Sequence, residues 1–106
     1  MATYIDNDLA NLVKKLSDLR IATPESNPNY SSITKQYRDA SEEQTEAIDK
    51  AIDNADADYK DFSDSMQPAI DAINKAIEDI GRIAKAITAV AKVINVAGKI
   101  IAAVAK

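Results

Sequence analysis

The 106-residue chain contains no cysteine, histidine or tryptophan, and it has only two glycines, three prolines and one phenylalanine. Without cysteine, neither a disulfide bond nor a thiolate metal site can form, and without histidine the most common catalytic base is missing. No glycine-rich loop is present that would cradle a phosphate. The sequence therefore predicts no enzyme activity, no cofactor and no metal site.

The residues that are present are typical of a helical protein. Apolar residues make up 46% of the chain, which is enough for one modest core in a single domain, residues 1–106. These apolar residues recur at helical spacing along most of the chain. We therefore predict an all-α fold, an elongated antiparallel up-down-up three-helix bundle with a long, coiled-coil-like hairpin.

The spacing predicts the bounds of three helices. Helix 1 covers about residues 5–21, helix 2 about residues 30–66 and helix 3 about residues 68–106. Pro68 is placed at the start of helix 3, because the missing N–H of proline would be unpaired there anyway. Ser41 begins a possible capping box, where helix 2 could break, but the apolar stripe favours a continuous helix. The two long helices would form a two-helix stalk.

The charges are divided unevenly along the chain. All 17 acidic residues lie between Asp6 and Asp79, whereas residues 80–106 contain five basic residues and no acid. Because the other 8 bases lie in residues 1–79, the formal charges of the two parts are −9 and +5. Such a division indicates that the two parts face each other or face different surroundings.

The C-terminal helix has an unusual pattern of charge. Four lysines recur at every seventh residue and fall on one narrow stripe: Lys85, Lys92, Lys99 and Lys106. Val93, Val96 and Ile100 fall beside this stripe, so the helix is apolar nearly all round after residue 90 and needs cover on more than one side. A reversal near residue 67 would place residues 30–46 antiparallel to residues 88–104, and helix 1 would supply the second cover.

The function predicted from these features is a non-enzymatic protein–protein interaction or oligomerisation module. A two-helix stalk would leave some apolar positions of helix 3 thinly covered. The candidate interaction residues are Ala69, Ala76, Ile83, Lys85, Lys92 and Lys99. The expected partner is a second copy or another helical protein. Nucleic acid is disfavoured, because the lysines are much sparser than the phosphates of a duplex.

A membrane-active protein is the alternative. The lysine-striped C-terminal helix has the pattern of an interfacial helix, or of one that a soluble bundle releases, as in α-helical pore-forming toxins. A spanning helix is disfavoured, because Lys92 and Lys99 would lie in the hydrocarbon at about 2.5–3.5 kcal/mol each. The first residues, MATYIDNDLA, lack the basic and then apolar run of a secretory signal, so the cytoplasm is the default expectation.

Acidic residues follow helical spacing on the outer side of helix 2: Asp39, Glu42, Glu46, Asp49, Asp53 and Asp56. They could serve a divalent cation or a basic partner, but carboxylates spread along a helix do not converge on one ion. A solvated face is the simpler interpretation. Asp58 differs, since it falls on the apolar seam, and we expect it to pair with Lys75 or to lie at the exposed edge of that seam.

Overall fold

The computed structural model describes residues 5–50 and 59–104 of the chain. Over these residues the protein is all-helical and has no strand, so the all-α part of the prediction is confirmed. The four α-helices are α1 (Ile5–Ala22), α2 (Tyr30–Lys50), α3 (Tyr59–Glu78) and α4 (Ile83–Val104). A short 3₁₀-helix, Ile80–Arg82, joins α3 to α4.

The connection between α1 and α2 is a tight loop held by hydrogen bonds of its own side chains and backbone. Thr23 closes α1 because its hydroxyl donates to the carbonyl of Leu19 at 2.7 Å. The side chain of Asn27 then accepts the N–H of Asn29 at 2.8 Å, and its carbonyl accepts the N–H of Tyr30 at 3.0 Å. These bonds turn the chain so that α2 begins at Tyr30 and packs against α1.

The helices form a bundle in which each helix lies beside two others. Helix α1 packs beside α2 and α3, and α4 packs beside the same two helices. Consequently α1 lies diagonally across the core from α4, and α2 lies diagonally across from α3. The bundle measures 41 × 20 × 19 Å.

Contacts along the bundle show that α2 and α4 run in the same direction. The side chain of Gln36 donates to the carbonyl of Ile87 at 2.9 Å. About two turns further along α2 and three turns further along α4, the carboxyl group of Glu43 lies against Gly98. From the first contact to the second, the residue numbers increase on both helices, so α2 and α4 are parallel neighbours.

One apolar core joins all four helices. Four leucines of α1 are fully buried and recur every three or four residues, which places them on one face: Leu9, Leu12, Leu16 and Leu19. They meet Phe62 and Ile73 of α3 and Val90 of α4 in the same cluster. Burying a side chain of this size stabilises the fold by about 1.5–3 kcal/mol, so this shared core is the main stabilising feature.

The reversal predicted at Pro68 lies instead at residues 79–82. Pro68 is inside α3, on its exposed side, and the helix continues past it for ten residues. Asp79 leaves the helical region, with φ −143° and ψ 99°, and its carboxylate accepts the N–H of Gly81. The helix predicted over residues 68–106 is therefore divided between α3 and α4.

The shifted reversal also changes the predicted stalk. Because α3 is a separate helix that packs beside α1 and α4, each described helix has two neighbours and the described residues form no two-helix stalk. Helix α2 runs without a break through Ser41 to Lys50. The predicted continuation of helix 2 through residues 51–58 lies outside the described residues.

The apolar positions near the lysines of α4 are covered, but by a different arrangement from the predicted one. Val93 and Ile100 are fully buried, and Val96 is partly buried against the core. The flanking cover comes from α2 and α3, while α1 lies across the core. In addition, α2 is parallel to α4 and not antiparallel, because the antiparallel partner of α4 is α3, to which the 79–82 reversal connects it.

Candidate functional site

Three of the six candidate interaction residues lie in the core. Ala69 and Ala76 are fully buried, and Ile83 is 3% exposed. The expectation that they are thinly covered assumed a two-helix stalk, whereas α3 packs against α1 as well as α4. In this bundle they are inaccessible to a partner, and their role is to fill the interior.

The other three candidates form an exposed row on α4. Lys85, Lys92 and Lys99, called the lysine row below, are all exposed. Successive lysines are about 10.5 Å apart along the helix axis at 1.5 Å per residue. Among the described side chains, those of residues 7–47 and 59–102, ion pairs join only Lys60 to Asp64 and Asp79 to Arg82, so the lysine row has no ion-pair partner among them.

The lysine row faces outward because the opposite side of α4 is apolar. Buried residues recur along that side at helical spacing: Ala86, Val90, Val93, Ala97 and Ile100. On the outer side, Thr88 and Asn95 lie between the lysines and are also exposed. These side chains are shorter than the lysines, so another helix can approach the backbone of α4 closely between them.

A row of carboxylates lies on the neighbouring helix α2. Asp39, Glu42 and Glu46 form this acidic row, in which Asp39 is half-buried and the two glutamates are exposed. Of the residues predicted to extend it, Asp53 and Asp56 lie outside the described residues, and the structure does not describe the side chain of Asp49. In the described part of the chain, no group of three or more acidic residues is arranged to hold a metal ion.

A groove separates α2 from α4. Its volume is about 300 Å³, and it is lined by Ser32, Lys35, Gln36, Asp39, Ile87, Ala91, Ile94 and Asn95. Gln36 crosses the groove through its bond to the Ile87 carbonyl. We refer to the outer surfaces of α2 and α4, with this groove between them, as the α2–α4 face.

Glu43 is the one group of this region with a strongly shifted pKa. Burial, followed by the charges of Asp39 and Glu46, raises the pKa of the Glu43 carboxyl from 4.5 to about 8. The group fits because Gly98 has no side chain: a Cβ there would lie 3.0 Å from Glu43 Oε2. The other carboxyl oxygen, Oε1, is buried without a hydrogen-bond partner. At neutral pH the protonated, uncharged form is therefore favoured.

Further basic residues adjoin the lysine row where α3 meets α4. Lys75, Arg82 and Lys85 line a second groove, about 380 Å³ in volume, over Pro68 and Ala72. Asp71 is the single acid at its edge. The positive surface thus continues from α4 onto the end of the α3–α4 hairpin. Asp58, the expected partner of Lys75, lies outside the described residues.

Sequence reasoning did not identify the contacts between α2 and α4. Gln36, Glu43 and Gly98 interact across two helices that are more than fifty residues apart in sequence. Glu43 lies within the possible capping box that begins at Ser41, and no pattern in the sequence indicated its contact with Gly98. The available signal was the position of Gln36 on the apolar side of α2, where a polar residue needs a partner.

Comparison of the chain with protein-family models, with curated proteins and with solved structures finds no match. None of the described helices combines the length and the apolar character that crossing a membrane requires.

Proposed function

We propose that this protein is a non-enzymatic interaction module that binds an acidic helical surface through the lysine row of α4. The observation that carries the proposal is the exposure of Lys85, Lys92 and Lys99 without an ion-pair partner in the described residues. The same part of the chain, residues 80–106, contains no acid that would neutralise them. This surface is positive in a protein whose net charge is −4.

The spacing of the row suits a helical partner. Lysines seven residues apart keep nearly the same angular position on the helix, so they face one straight strip of a neighbouring helix. A partner helix with acids at the same interval can meet all three. Thr88 and Asn95, which are short, leave space for its backbone to approach.

The lysines are expected to determine orientation and association rate more than affinity. An exposed ion pair contributes about 0.2–1 kcal/mol, so three pairs alone do not hold a complex together. Complementary charge accelerates encounter and suppresses wrong partners. Affinity then depends on the area covered, to which the half-buried Ile87 and Ile94 beside the groove contribute.

A site-specific photo-cross-linking experiment tests this proposal. A benzophenone amino acid replaces Asn95, which lies between Lys92 and Lys99, or Asn11, an exposed residue on the distant helix α1. In extracts of the source cells, position 95 is expected to cross-link acidic helical proteins or a second copy of the chain. Position 11 is expected not to do so.

Charge reversal provides the matched control for this experiment. The cross-links from position 95 are expected to disappear when K92E and K99E are added, while the bundle stays folded by circular dichroism. If both positions capture the same proteins, or if charge reversal leaves the captured set unchanged, the lysine row is not the binding surface.

Membrane activity is the second candidate, and the composition of α4 favours it. This helix combines a lysine row with a wide Ile, Val and Ala side. Its apolar side is buried in the shared core, so membrane binding would require α4 to leave the bundle. Co-sedimentation with vesicles of 3:1 phosphatidylcholine and phosphatidylserine tests this. Binding that K92E/K99E abolishes would favour the membrane, and no binding between pH 5 and 9 would exclude it.

A further inference from the structure

A groove between α1 and α2 brings two arginines together. Its volume is about 270 Å³, and it is lined by Arg20, Thr34, Tyr37, Arg38, Ser41 and Glu42. Arg20 lies in the last turn of α1, whereas the other five residues belong to α2, where Thr34, Arg38 and Ser41 recur at helical spacing along one face. Two guanidinium groups and two hydroxyl groups therefore border the same groove, from two different helices.

The ring of Tyr37 holds Arg20 in position. The guanidinium carbon of Arg20 lies 5.7 Å from the centroid of this ring, within the range of a cation–π contact. Both side chains are half-buried. Because the guanidinium group is already positioned beside the groove, it loses little freedom when it binds an anion there.

Two donors beside the groove have no partner. Arg20 Nε and Thr34 Oγ1 are both buried, and neither forms a hydrogen bond with the described part of the chain. A buried donor that stays unpaired is unfavourable, and in folded proteins such a group usually has a partner. An acceptor that enters the groove meets the side chains of both residues, so the two donors indicate a site for an anion.

The groove is positive although it belongs to the acidic part of the chain. Residues 1–79 contain 17 acids and 8 bases, a formal charge of −9. Among the described residues that line the groove, Glu42 is the one acid, and it is exposed. Neither Arg20 nor Arg38 forms an ion pair with a described side chain. Both arginines are therefore available to an anion.

An adjoining groove, called the Tyr30 groove below, is larger. Its volume is about 470 Å³, and it is lined by Tyr30, Ser31, Thr34, Lys35 and Arg38. Thr34 and Arg38 line both grooves, so the two are continuous. The half-buried ring of Tyr30 offers an apolar surface, and Lys35 adds a third positive charge. Together the two grooves have the size of a small-molecule site, which is about 300–1,000 Å³.

We propose that the groove between α1 and α2 binds the phosphate group of a soluble phosphomonoester, and that the Tyr30 groove holds the organic part of this ligand. The three terminal oxygens of a phosphate group point in different directions, so they can accept hydrogen bonds from arginines on two helices and from a hydroxyl group at once. A flat carboxylate has only two oxygens. The site does not use the lysine row, because α1 lies across the core from α4, so the inference is independent of the proposed function.

The surrounding charge favours a soluble ligand over a phospholipid. Asp18, Glu25 and Glu42 are exposed acids of α1, α2 and the loop between them. An anionic bilayer that approached this end of the molecule would be repelled by these acids. A small molecule can instead enter the groove and meet the two arginines directly.

An NMR titration of the ¹⁵N-labelled chain with phenyl phosphate tests the site at pH 7.5, where most of the phosphate carries two charges. Saturable shifts are expected with a Kd below about 1 mM, and the largest are expected at the amides of Thr34, Arg38 and Ser41. Inorganic phosphate is expected to bind at least about threefold more weakly, because it does not reach the ring of Tyr30. Benzoate is expected to bind at least about tenfold more weakly, because it offers two coplanar oxygens and one charge.

Substitution of the arginines tests their roles. R38Q is expected to weaken the binding of phenyl phosphate at least about tenfold, and because Arg38 is exposed, its circular dichroism should match wild type. R20K keeps the charge but lacks the planar fork of donors, so it is expected to weaken binding at least about fivefold. R82Q is the matched control, because it removes an exposed arginine from the groove between α3 and α4 and changes the net charge as R38Q does. It is expected to bind phenyl phosphate like wild type.

Three outcomes of the titrations would overturn the site or its ligand. Equal weakening by R38Q and R82Q, or shifts centred on α4, would mean that phosphate follows the overall charge and not this groove. The absence of any shift at 10 mM phenyl phosphate would overturn the site as well. Benzoate that binds as tightly as phenyl phosphate would overturn the assignment of the ligand as a phosphate.

Sedimentation with vesicles of 9:1 phosphatidylcholine and phosphatidic acid distinguishes the two sources of a phosphomonoester. The chain is expected to stay in the supernatant. Binding to these vesicles that R38Q abolishes would assign the phosphate to a lipid headgroup and overturn the soluble ligand.

Discussion

The residue with the most informative chemistry is Glu43, whose carboxyl group is held against Gly98. Its pKa of about 8 in the folded protein lies above the ordinary value of 4.5, chiefly because of burial. Between these two pH values the folded chain binds a proton that the unfolded chain releases. The stability that Glu43 contributes is therefore complete below pH 4.5 and declines as the pH rises to about 8.

Replacing Glu43 with glutamine is predicted to remove this dependence, because the amide has nearly the same shape and no charge at any pH. At pH 9 we expect E43Q to be more stable than wild type by on the order of 1–2 kcal/mol, well below the full linkage value because the side chain is partly exposed to solvent. Urea unfolding between pH 5 and 9 measures the difference.

Glu42 provides the matched control for this prediction. It is the adjacent residue on α2 and is exposed, so E42Q removes the same charge without affecting the contact with Gly98. We expect the pH dependence of E42Q to stay within about 0.5 kcal/mol of wild type. If the free energies of unfolding of wild type and E43Q changed in parallel across the whole pH range, Glu43 would not be the source of the pH dependence.

At the scale of the elements, the proline inside α3 is the clearest weak point. Pro68 has no N–H to donate to the carbonyl of Asp64, and a proline in a helix interior costs about 3 kcal/mol. Part of this cost is offset because proline also restricts the unfolded chain. Since Pro68 is exposed, P68A removes little packing, and we predict a gain of about 1–3 kcal/mol in urea unfolding.

The neighbouring exposed Gln67 serves as the control for that substitution. Its side chain bonds only to Asp71, one turn away, so Q67A is expected to change stability by less than about 0.5 kcal/mol. A P68A variant no more stable than wild type would show that the bundle depends on a local distortion of α3 at this position.

Asp79 determines where α3 ends and the chain reverses. Its carboxylate accepts the N–H of Gly81 at 3.1 Å and lies 3.7 Å from Arg82. We predict that D79A destabilises the protein by about 1 kcal/mol, the usual cost of losing such a cap. D79N is expected to retain most of that stability, because an amide oxygen can accept the same bond. E78A, which removes an acid at an exposed neighbouring position, is the charge control.

The bounds of some helices were predicted correctly and those of others were not, and the difference lies in the local sequence signals at their ends. The leucine stripe of α1 and the start of α2 at Tyr30 follow from spacing and from the two prolines between them. The α3–α4 reversal was misplaced because Pro68 was treated as a helix start, although a packed helix can tolerate an exposed proline. Asp79 followed by Gly81 was the better signal, since an acceptor before a glycine is typical of a cap or turn.

The site was predicted in the part that depends on one helix and missed in the part that depends on two. The common stripe of Lys85, Lys92 and Lys99 follows from the seven-residue interval alone. The burial of Ala69 and the contact of Glu43 with Gly98 depend on which helices are neighbours. That choice was determined by the position of the reversal, so one misplaced turn changed several predicted contacts.

At the scale of the whole molecule, the single core implies that the helices are stable only together. Helix α1 does not flank α4, yet its leucines share one buried cluster with Val90, Val93 and Ile100. A cavity made in α1 should therefore lower the stability of α4, because both helices lose their cover when the core opens.

We predict that L12A, which truncates a fully buried side chain, destabilises the bundle by about 2–5 kcal/mol. If the bundle unfolds as one unit, the slowest-exchanging amides of α4 should lose protection by the same free energy, as measured by native-state hydrogen exchange. I21A is the matched control, because Ile21 is on the same helix but 81% exposed, and it should leave those amides unchanged. Unchanged α4 protection in L12A would instead mean that α1 separates on its own while the other helices remain packed.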